Sequence, residues 1–533
     1  MLSRRQFLTR SGAVGAAAVF SPQSMPDALG ATRLLRGGRF SSGVLSGDPT
    51  PRGITLWTQV AEAGGRGGVR LEVARDKDFR NVVTRRTIQT RGSLDHTVKA
   101  RLGGLRPHER YYYRFETATR ESPVGRFQTA LPEDSNEPVR LGFFSCQNYP
   151  HGYFNAHELM AREDLDFVVN LGDYIYAEAY HSRADGTGVR DDRIGRQRAT
   201  IVREALTLSD YRRKYQLYRS DASLRKMHAR FPMISTWDDH EVQNNYAGGD
   251  PSGGLAANER FSRARKRAGY KAYFEHMPHF STARGTNRTY GTMRFGRNVE
   301  LIMLDERQYR ANQPCNDAVV PPCPELNNPR DFLGRPQMEF FKGALSKSTA
   351  AWKLVGNEVA MMPVKTGPTT YFGYDFWHGY PGERREVLEH IKAGNVQDVV
   401  FLTGDIHTFA TGDVQITEGG ESVATEIIGG SITSQGLGEA DIDLGGGTIL
   451  KGNDANPNTP PAIINALVGF NPWVDYADFD HHGYVVVEAS AGELKSTLRR
   501  IDTIKKRSNA REPDISYTLP RGDKTLKGKR RGG

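Results

Sequence analysis

Five apolar, strand-like runs in this chain each end in side chains able to bind a metal. Run 139–145 ends in Cys146, and run 167–171 is followed by Gly172-Asp173-Tyr174-Ile175-Tyr176. The run to Trp237 ends in Asp238-Asp239-His240-Glu241. Run 352–355 leads into Gly356-Asn357-Glu358, and run 399–403 into Gly404-Asp405-Ile406-His407. One Gly-Asp is an ordinary turn or cap. Donors after five such runs are a pattern, because α/β folds place their ligands just beyond strand C-termini.

The residue types fit a pair of cations. Two metals a few ångströms apart need a shared anionic oxygen, which a carboxylate such as Asp173 supplies. A hard trivalent ion favours phenolate and carboxylate, with thiolate and imidazole completing the set. An oxygen-rich set of Asp239, Asn357 and Asp405 suits a hard divalent ion such as Ca²⁺ or Mg²⁺. Such a pair holds phosphate oxygens, generates hydroxide near neutral pH and stabilises in-line displacement. His240 stands beside the second set, either as proton partner of a leaving oxygen or as an orienter of its neighbours. Arg307 can clamp a phosphate in bidentate fashion or pair with Asp305 or Glu306.

Positioning these donors requires an α/β domain. From residue 138 to about 500, apolar runs alternate with charged stretches of helical spacing such as 211–230 and 383–392, so one sheet flanked by helices is expected. Residues 35–131 read differently. Short β-branched and aromatic runs separated by Asp48-Pro49, Gly64-Gly65 and Gly103-Gly104 predict a small all-β sandwich domain. The polar, proline-bounded stretch 131–138 reads as a linker.

The chain has 533 residues and a net charge of +10, with 25% charged and 10% aromatic side chains, a composition that excludes wholesale disorder. The ends carry much of the charge. Residues 1–30 begin Ser3-Arg4-Arg5-Gln6-Phe7-Leu8 before a short, weakly apolar stretch, which resembles a twin-arginine export signal and implies a secreted or periplasmic protein. No stretch reaches the 18 apolar residues of a membrane span. Residues 501–533 read as a basic, mobile tail, with contact to nucleic acid or anionic polymer as the alternative. Of three cysteines, Cys315 and Cys323 bracket a short proline-bearing loop and can pair in an oxidising compartment, leaving Cys146 as the odd thiol. Tyr371 to Tyr380 can rim a site or fill a core, and His481-His482 reads as structural.

The motifs also resemble a known family. Gly-Asp-x-x-Tyr, Asp-His-Glu and Gly-x-x-His occur in the order of the purple acid phosphatase and wider metallophosphoesterase pattern. S-G-D-P-T at 46–50, L-W-T at 56–58, F-S-C at 144–146, G-D-Y-I-Y at 172–176, W-D-D-H-E at 237–241, N-N-Y at 244–246, L-D-E-R-Q-Y at 304–309 and T-G-D-I-H-T at 403–408 resemble the PhoD-type alkaline phosphatases. That resemblance spans residues 35 to about 490. It implies an Fe³⁺/Ca²⁺ enzyme acting on phosphomonoesters and often phosphodiesters. By the same resemblance, Cys146, Asp173, Tyr176 and His407 hold Fe³⁺, with Asp173 bridging, and Asp239 and Asp405 hold Ca²⁺. Asn357, or else Asn244, completes the second site. A phospholipase D-like phosphodiesterase on the same site is the nearest alternative; a non-catalytic binder of anionic polymer is a more distant one.

Overall fold

In the computed structural model, residues 33–528 are described except for 180–197, 202, 251–260, 280–286, 319–322, 440, 444–448 and 454–456. The export-signal reading of residues 1–30 and the last five residues therefore lie outside the described part.

The apolar runs do form strands, but in two sheets rather than one. A ten-stranded sheet contains Val139–Phe144, Phe167–Leu171 and Pro232–Thr236 side by side and parallel. A seven-stranded sheet contains Val299–Met303, Trp352–Asn357 and Val399–Thr403, also parallel. Alternate residues of each strand face opposite ways, and here both directions are apolar. Phe143, Val169, Leu301, Leu354 and Val400 pack in the core between the sheets. Phe144 and Val168 face helices Asn155–Met160, Ala222–Arg230 and Arg263–His276 across the outer side of the first sheet. Ile302, Val355 and Phe401 face helices Arg335–Lys347 and Pro381–Ala393 on the second. The result is helices, sheet, sheet, helices. Continuous hydrophobic runs hid this from the sequence, since a strand buried on both faces shows no alternation.

The N-terminal β region forms the expected small sandwich, and one of its two sheets continues into the large sheet. Strands Gly68–Ala74, Val82–Gln89, Arg110–Glu116 and Gly125–Gln128 form one antiparallel sheet. The facing strands Val44–Thr50, Gly53–Gln59 and Thr97–Leu102 extend the ten-stranded sheet, because Val44–Thr50 pairs in parallel with Pro232–Thr236. The Trp57 indole also donates to the Glu275 carbonyl at 2.7 Å. The expected linker is pinned as well: the Asn298 amide donates to the carbonyls of Asn136 and Glu137.

The tail expectation is likewise corrected for residues 501–528. Strand Ile515–Pro520 pairs with Glu493–Arg500 on one side and with the short edge strand Lys527–Gly528 on the other, Leu526 is buried in the inter-sheet core, and Arg521 pairs with Asp398 at 3.5 Å. Charge alone marked this segment as solvated, but Ile515, Tyr517 and Leu519 supply the apolar alternation of a strand with one covered face.

Candidate metal centre

Both sheets direct strand C-termini to one place. Cys146, Asp173 and Asp239 follow strands of the first sheet, and Asp405 and His407 follow Val399–Thr403 of the second. Two glycines allow the loops to meet. A Cβ on Gly172 would lie 2.4 Å from Asp238 Cβ, and one on Gly404 would lie 2.7 Å from Ser145 Oγ. Cys146, Asp173, Asp405 and His407 all adopt left-handed backbone conformations, with φ of 58, 53, 64 and 56°. Each such residue costs about 1–3 kcal/mol, a strain that persists only where the surrounding structure enforces it.

Potential ligand atoms of Cys146, Asp173 and His407 lie within 4.8 Å of one another. The same limit holds for Asp173, Asp239 and His240, and for Asp238, Asp239 and Asp405. Asp173 belongs to the first two groups, so it sits between two neighbouring donor sets. Tyr176 joins it: its hydroxyl donates to Asp173 Oδ2 at 2.9 Å, accepts from Ser434 Oγ at 2.5 Å and lies 3.3 Å from His407 Nε2. His407 Nδ1 donates to the Gln435 carbonyl at 2.9 Å, which leaves Nε2 as a lone pair aimed at the cluster. Burial holds this imidazole neutral, its pKa lowered to about 4.

The centre is starved of positive charge. Burial, reinforced by Asp173 and Asp405, pushes the Cys146 thiol well above its usual range. Burial raises Asp173 and Asp405 strongly as well, with neighbouring carboxylates adding to the effect in both. Asp173 Oδ1 has no hydrogen-bond partner among the described residues. Arg307 is fully buried, but it pairs with Asp238 and, at 2.7 Å, with Asp375, and only approaches Asp239 and Asp405 at 3.9 Å. It is neither a free phosphate clamp nor a partner of Asp305 or Glu306. Arg310 also pairs with Asp375 at 2.8 Å, so Arg307 and the His240 imidazole are left facing Asp238, Asp239, Asp405 and Asp173, more acids than they can neutralise. Thiol, phenol, imidazole and carboxylate donors around an unpartnered oxygen fit metal cations.

His240 stacks on Tyr176 with ring centroids 4.0 Å apart, and its Nδ1 lies 2.7 Å from Glu178 Oε2. Burial opposes charge on this ring, but Asp239, Glu178 and Asp173 raise its pKa well above 6.5. Burial likewise opposes charge on Glu178, yet His240 and the Asn244 backbone N–H bring it down to about 2.

Asn357 is engaged elsewhere. Its Oδ1 accepts from the Trp377 indole at 2.9 Å, and its Nδ2 donates to Val359 and Thr403. Asn244 is exposed, and its backbone N–H donates to Glu178 Oε1 at 2.8 Å. From Tyr374 onward the aromatic segment is core rather than rim, with Trp377 and Tyr380 fully buried, while Tyr371 and Phe372 are half-buried. His481 and His482 are structural, paired with Asp478 and Glu439, and Cys315 and Cys323 form a disulfide.

Glu241 has a role that sequence reasoning missed. Its carboxylate accepts backbone N–H bonds from Asp173 (3.1 Å), Tyr174 (2.6 Å) and Asp238 (2.9 Å), tying two donor loops together. Its place three residues after Asp238, at the end of the Trp-Asp-Asp-His-Glu motif, was the available signal.

The two-sheet architecture with donors at facing strand ends defines a class. A purple acid phosphatase isolated from yellow lupin (Lupinus luteus) seeds is similar in structure over 90% of this chain and 73% of its own, with a TM-score of 0.54 at 13% identity. It shares the fold. A solved structure of PhoD aligns over 93% of both chains, with a TM-score of 0.80 and 31% identity. Alkaline phosphatase D of Bacillus subtilis (strain 168) is 37% identical over 476 residues, 84% of this chain and 79% of that protein. Models of the PhoD-like phosphatase and of its N-terminal domain match residues 141–498 and 28–131. The chain belongs to the PhoD-like phosphatase family and is, at that level, a phosphatase.

Proposed function

We propose that the chain is an exported two-metal phosphatase acting on phosphomonoesters and phosphodiesters. Cys146, Asp173, Tyr176 and His407 would hold Fe³⁺, and Asp239 and Asp405 would hold Ca²⁺, with Asp173 between them. Asn357 is left out because its amide is engaged by Trp377, Val359 and Thr403. The observation that carries this reading is that these donors form overlapping groups, each within 4.8 Å, joined through Asp173 and Asp239, with Tyr176 bonded to Asp173 and an Asp173 oxygen that has no partner among the described residues. When bound, the metal pair supplies Lewis acidity and a hydroxide near neutral pH.

The chain's own residues have separable tasks. His407 presents one fixed lone pair because Gln435 takes its other nitrogen. Glu178 orients His240, leaving the second ring nitrogen to carry a proton to the departing alkoxide. Arg307 holds Asp238 and sits behind Asp239 and Asp405, limiting their mutual repulsion. Glu241 fixes the loops that aim Asp173 and Asp239.

Export rests on the Arg4-Arg5 leader, and no helix among the described residues is long and apolar enough to cross a membrane. The test is hydrolysis of 4-nitrophenyl phosphate and bis(4-nitrophenyl) phosphate by purified protein, before and after chelation. Chelator-sensitive turnover of both supports the proposal. Activity on neither by metal-loaded protein contradicts it.

A further inference from the structure

The Cys315–Cys323 disulfide begins at a turn that reaches the metal centre through one intermediary. Cys315, Asn316 and Asp317 are left-handed in succession, with φ of 53, 54 and 59°. L-residues enter this region singly, so three in a row persist only where the surroundings enforce them. Each carboxylate oxygen of Asp317 takes one donor. Oδ1 accepts the Tyr374 backbone N–H, and Oδ2 accepts Asn245 Nδ2 at 2.7 Å. Gly373 makes room for this approach, since a Cβ there would lie 2.9 Å from Asp317 Oδ1.

Asn245 carries the contact to the centre. It is itself left-handed, with a φ of 52°, and its backbone N–H donates to Asp239 Oδ2 at 2.6 Å. Gln313, two residues before Cys315, holds Asn245 from another side, its amide donating to the Asn245 carbonyl at 2.9 Å. The turn therefore grips Asn245 by side chain and by backbone, and Asn245 grips one oxygen of Asp239. The other oxygen accepts the His240 backbone N–H at 2.9 Å. Arg307 stands 3.9 Å from Asp239, too far for a hydrogen bond. Among the described residues these two N–H groups thus set the plane of the Asp239 carboxylate, and with it the direction of the remaining lone pairs. Cys146, Tyr176 and His407 make no hydrogen bond to this turn among the described residues.

We propose that Asp317, held by the Cys315–Cys323 disulfide, is a positioning residue for Asp239 and sets the affinity of the oxygen-ligated metal through Asn245. The inference rests on the two-metal reading, in which Asp239 holds that metal. It assigns a task to the Asn-Asn-Tyr motif at 244–246 and to the paired cysteines, features 72 residues apart at the Asn245–Asp317 bond. Hydrogen-bond partners behind a metal ligand typically change metal affinity by about 10–100-fold when removed.

The test is calorimetric titration of Ca²⁺ into purified, calcium-depleted protein that retains its iron. Asp317→Ala should raise the calcium Kd by about tenfold or more, with iron content unchanged. Asn245→Gly keeps the left-handed backbone and its N–H but loses the amide, and should do the same. The double variant should bind no more weakly than either single one, because both cut one link. Cys315→Ser combined with Cys323→Ser should weaken calcium in the same direction by a smaller factor. Asp239→Asn is the reference. If it weakens calcium binding while Asp317→Ala and Asn245→Gly do not, this inference alone is overturned. Additive losses in the double variant overturn it as well, and wild-type affinity in the cysteine pair removes the disulfide from it. Wild-type calcium affinity in Asp239→Asn overturns the two-metal reading and this inference with it.

Discussion

The buried carboxylates of this protein fall into two groups that differ in who satisfies them. Glu241, Glu306 and Glu426 are braces. Glu241 takes three backbone N–H bonds; Glu426 takes those of Met361 and Met362 and the Thr403 hydroxyl; Glu306 takes the Val359 N–H and the Trp377 indole. In the central group Asp173 and Asp405 face other acids instead, and Asp173 Oδ1 has no partner among the described residues; Asp239 shares both characters, lying among these acids while accepting the His240 (2.9 Å) and Asn245 (2.6 Å) backbone N–H groups. Burial raises the pKa of Glu241 to about 8 despite the N–H bonds that lower it, and those of Asp173 and Asp405 well above their usual value. The difference lies in hydrogen bonding. A brace is complete within the fold; the central group keeps an unpartnered Asp173 oxygen among crowded acids, which suits cations.

Breaking the central group should have the largest effect. Asp173→Asn removes the shared oxygen, and turnover of 4-nitrophenyl phosphate should fall by about 10²–10³-fold or more, with loss of bound metal in elemental analysis. Retained metal and activity would merge the two groups. Glu241→Gln keeps the shape of a brace but weakens its hold on the Asp173 and Asp238 loops, so activity should fall by about 10–100-fold. The readout specific to positioning is a weaker metal affinity at unchanged ligand identity.

Asn357→Ala separates bracing from binding at the residue where sequence and structure differ. Stability should drop by about 1–3 kcal/mol in a denaturant titration, while calcium content stays at the wild-type level. A loss of calcium would restore Asn357 to the ligand set.

The smallest effect concerns a carboxylate outside the centre. Burial tends to raise Glu439, but His482 and the Gly436 N–H outweigh it and hold its pKa at about 2. A depressed pKa stabilises the fold above the ordinary value of 4.5 and is lost as pH falls from there towards 2. About 1 kcal/mol of this contribution should be gone by pH 4, and Glu439→Gln should lessen the acid sensitivity of the melting temperature. An unchanged profile in that variant would remove Glu439 from the account.

The central donors were legible because they follow apolar runs in sequence: Cys146, Asp173, Asp239 and Asp405 each stand within two residues of a strand-like segment. The braces were not, because Glu241 and Glu426 act on backbone N–H groups that only tertiary structure brings near. The division into two sheets was hidden by strands apolar on both faces. The insertion of Val44–Thr50 beside Pro232–Thr236 is a long-range pairing that no local pattern encodes. Asn357 is the contrasting case: a donor at a strand end, in the right place by pattern, whose amide oxygen accepts the Trp377 indole N–H.

The central claim is that a mixed donor set beside Asp173 binds iron through Tyr176, next to an oxygen-ligated calcium. Elemental analysis combined with the visible spectrum of the wild type and of Tyr176→Phe tests it directly. The account predicts iron and calcium in comparable amounts and a broad visible band that Tyr176→Phe removes. Active protein without iron, or a band unchanged in Tyr176→Phe, would contradict it.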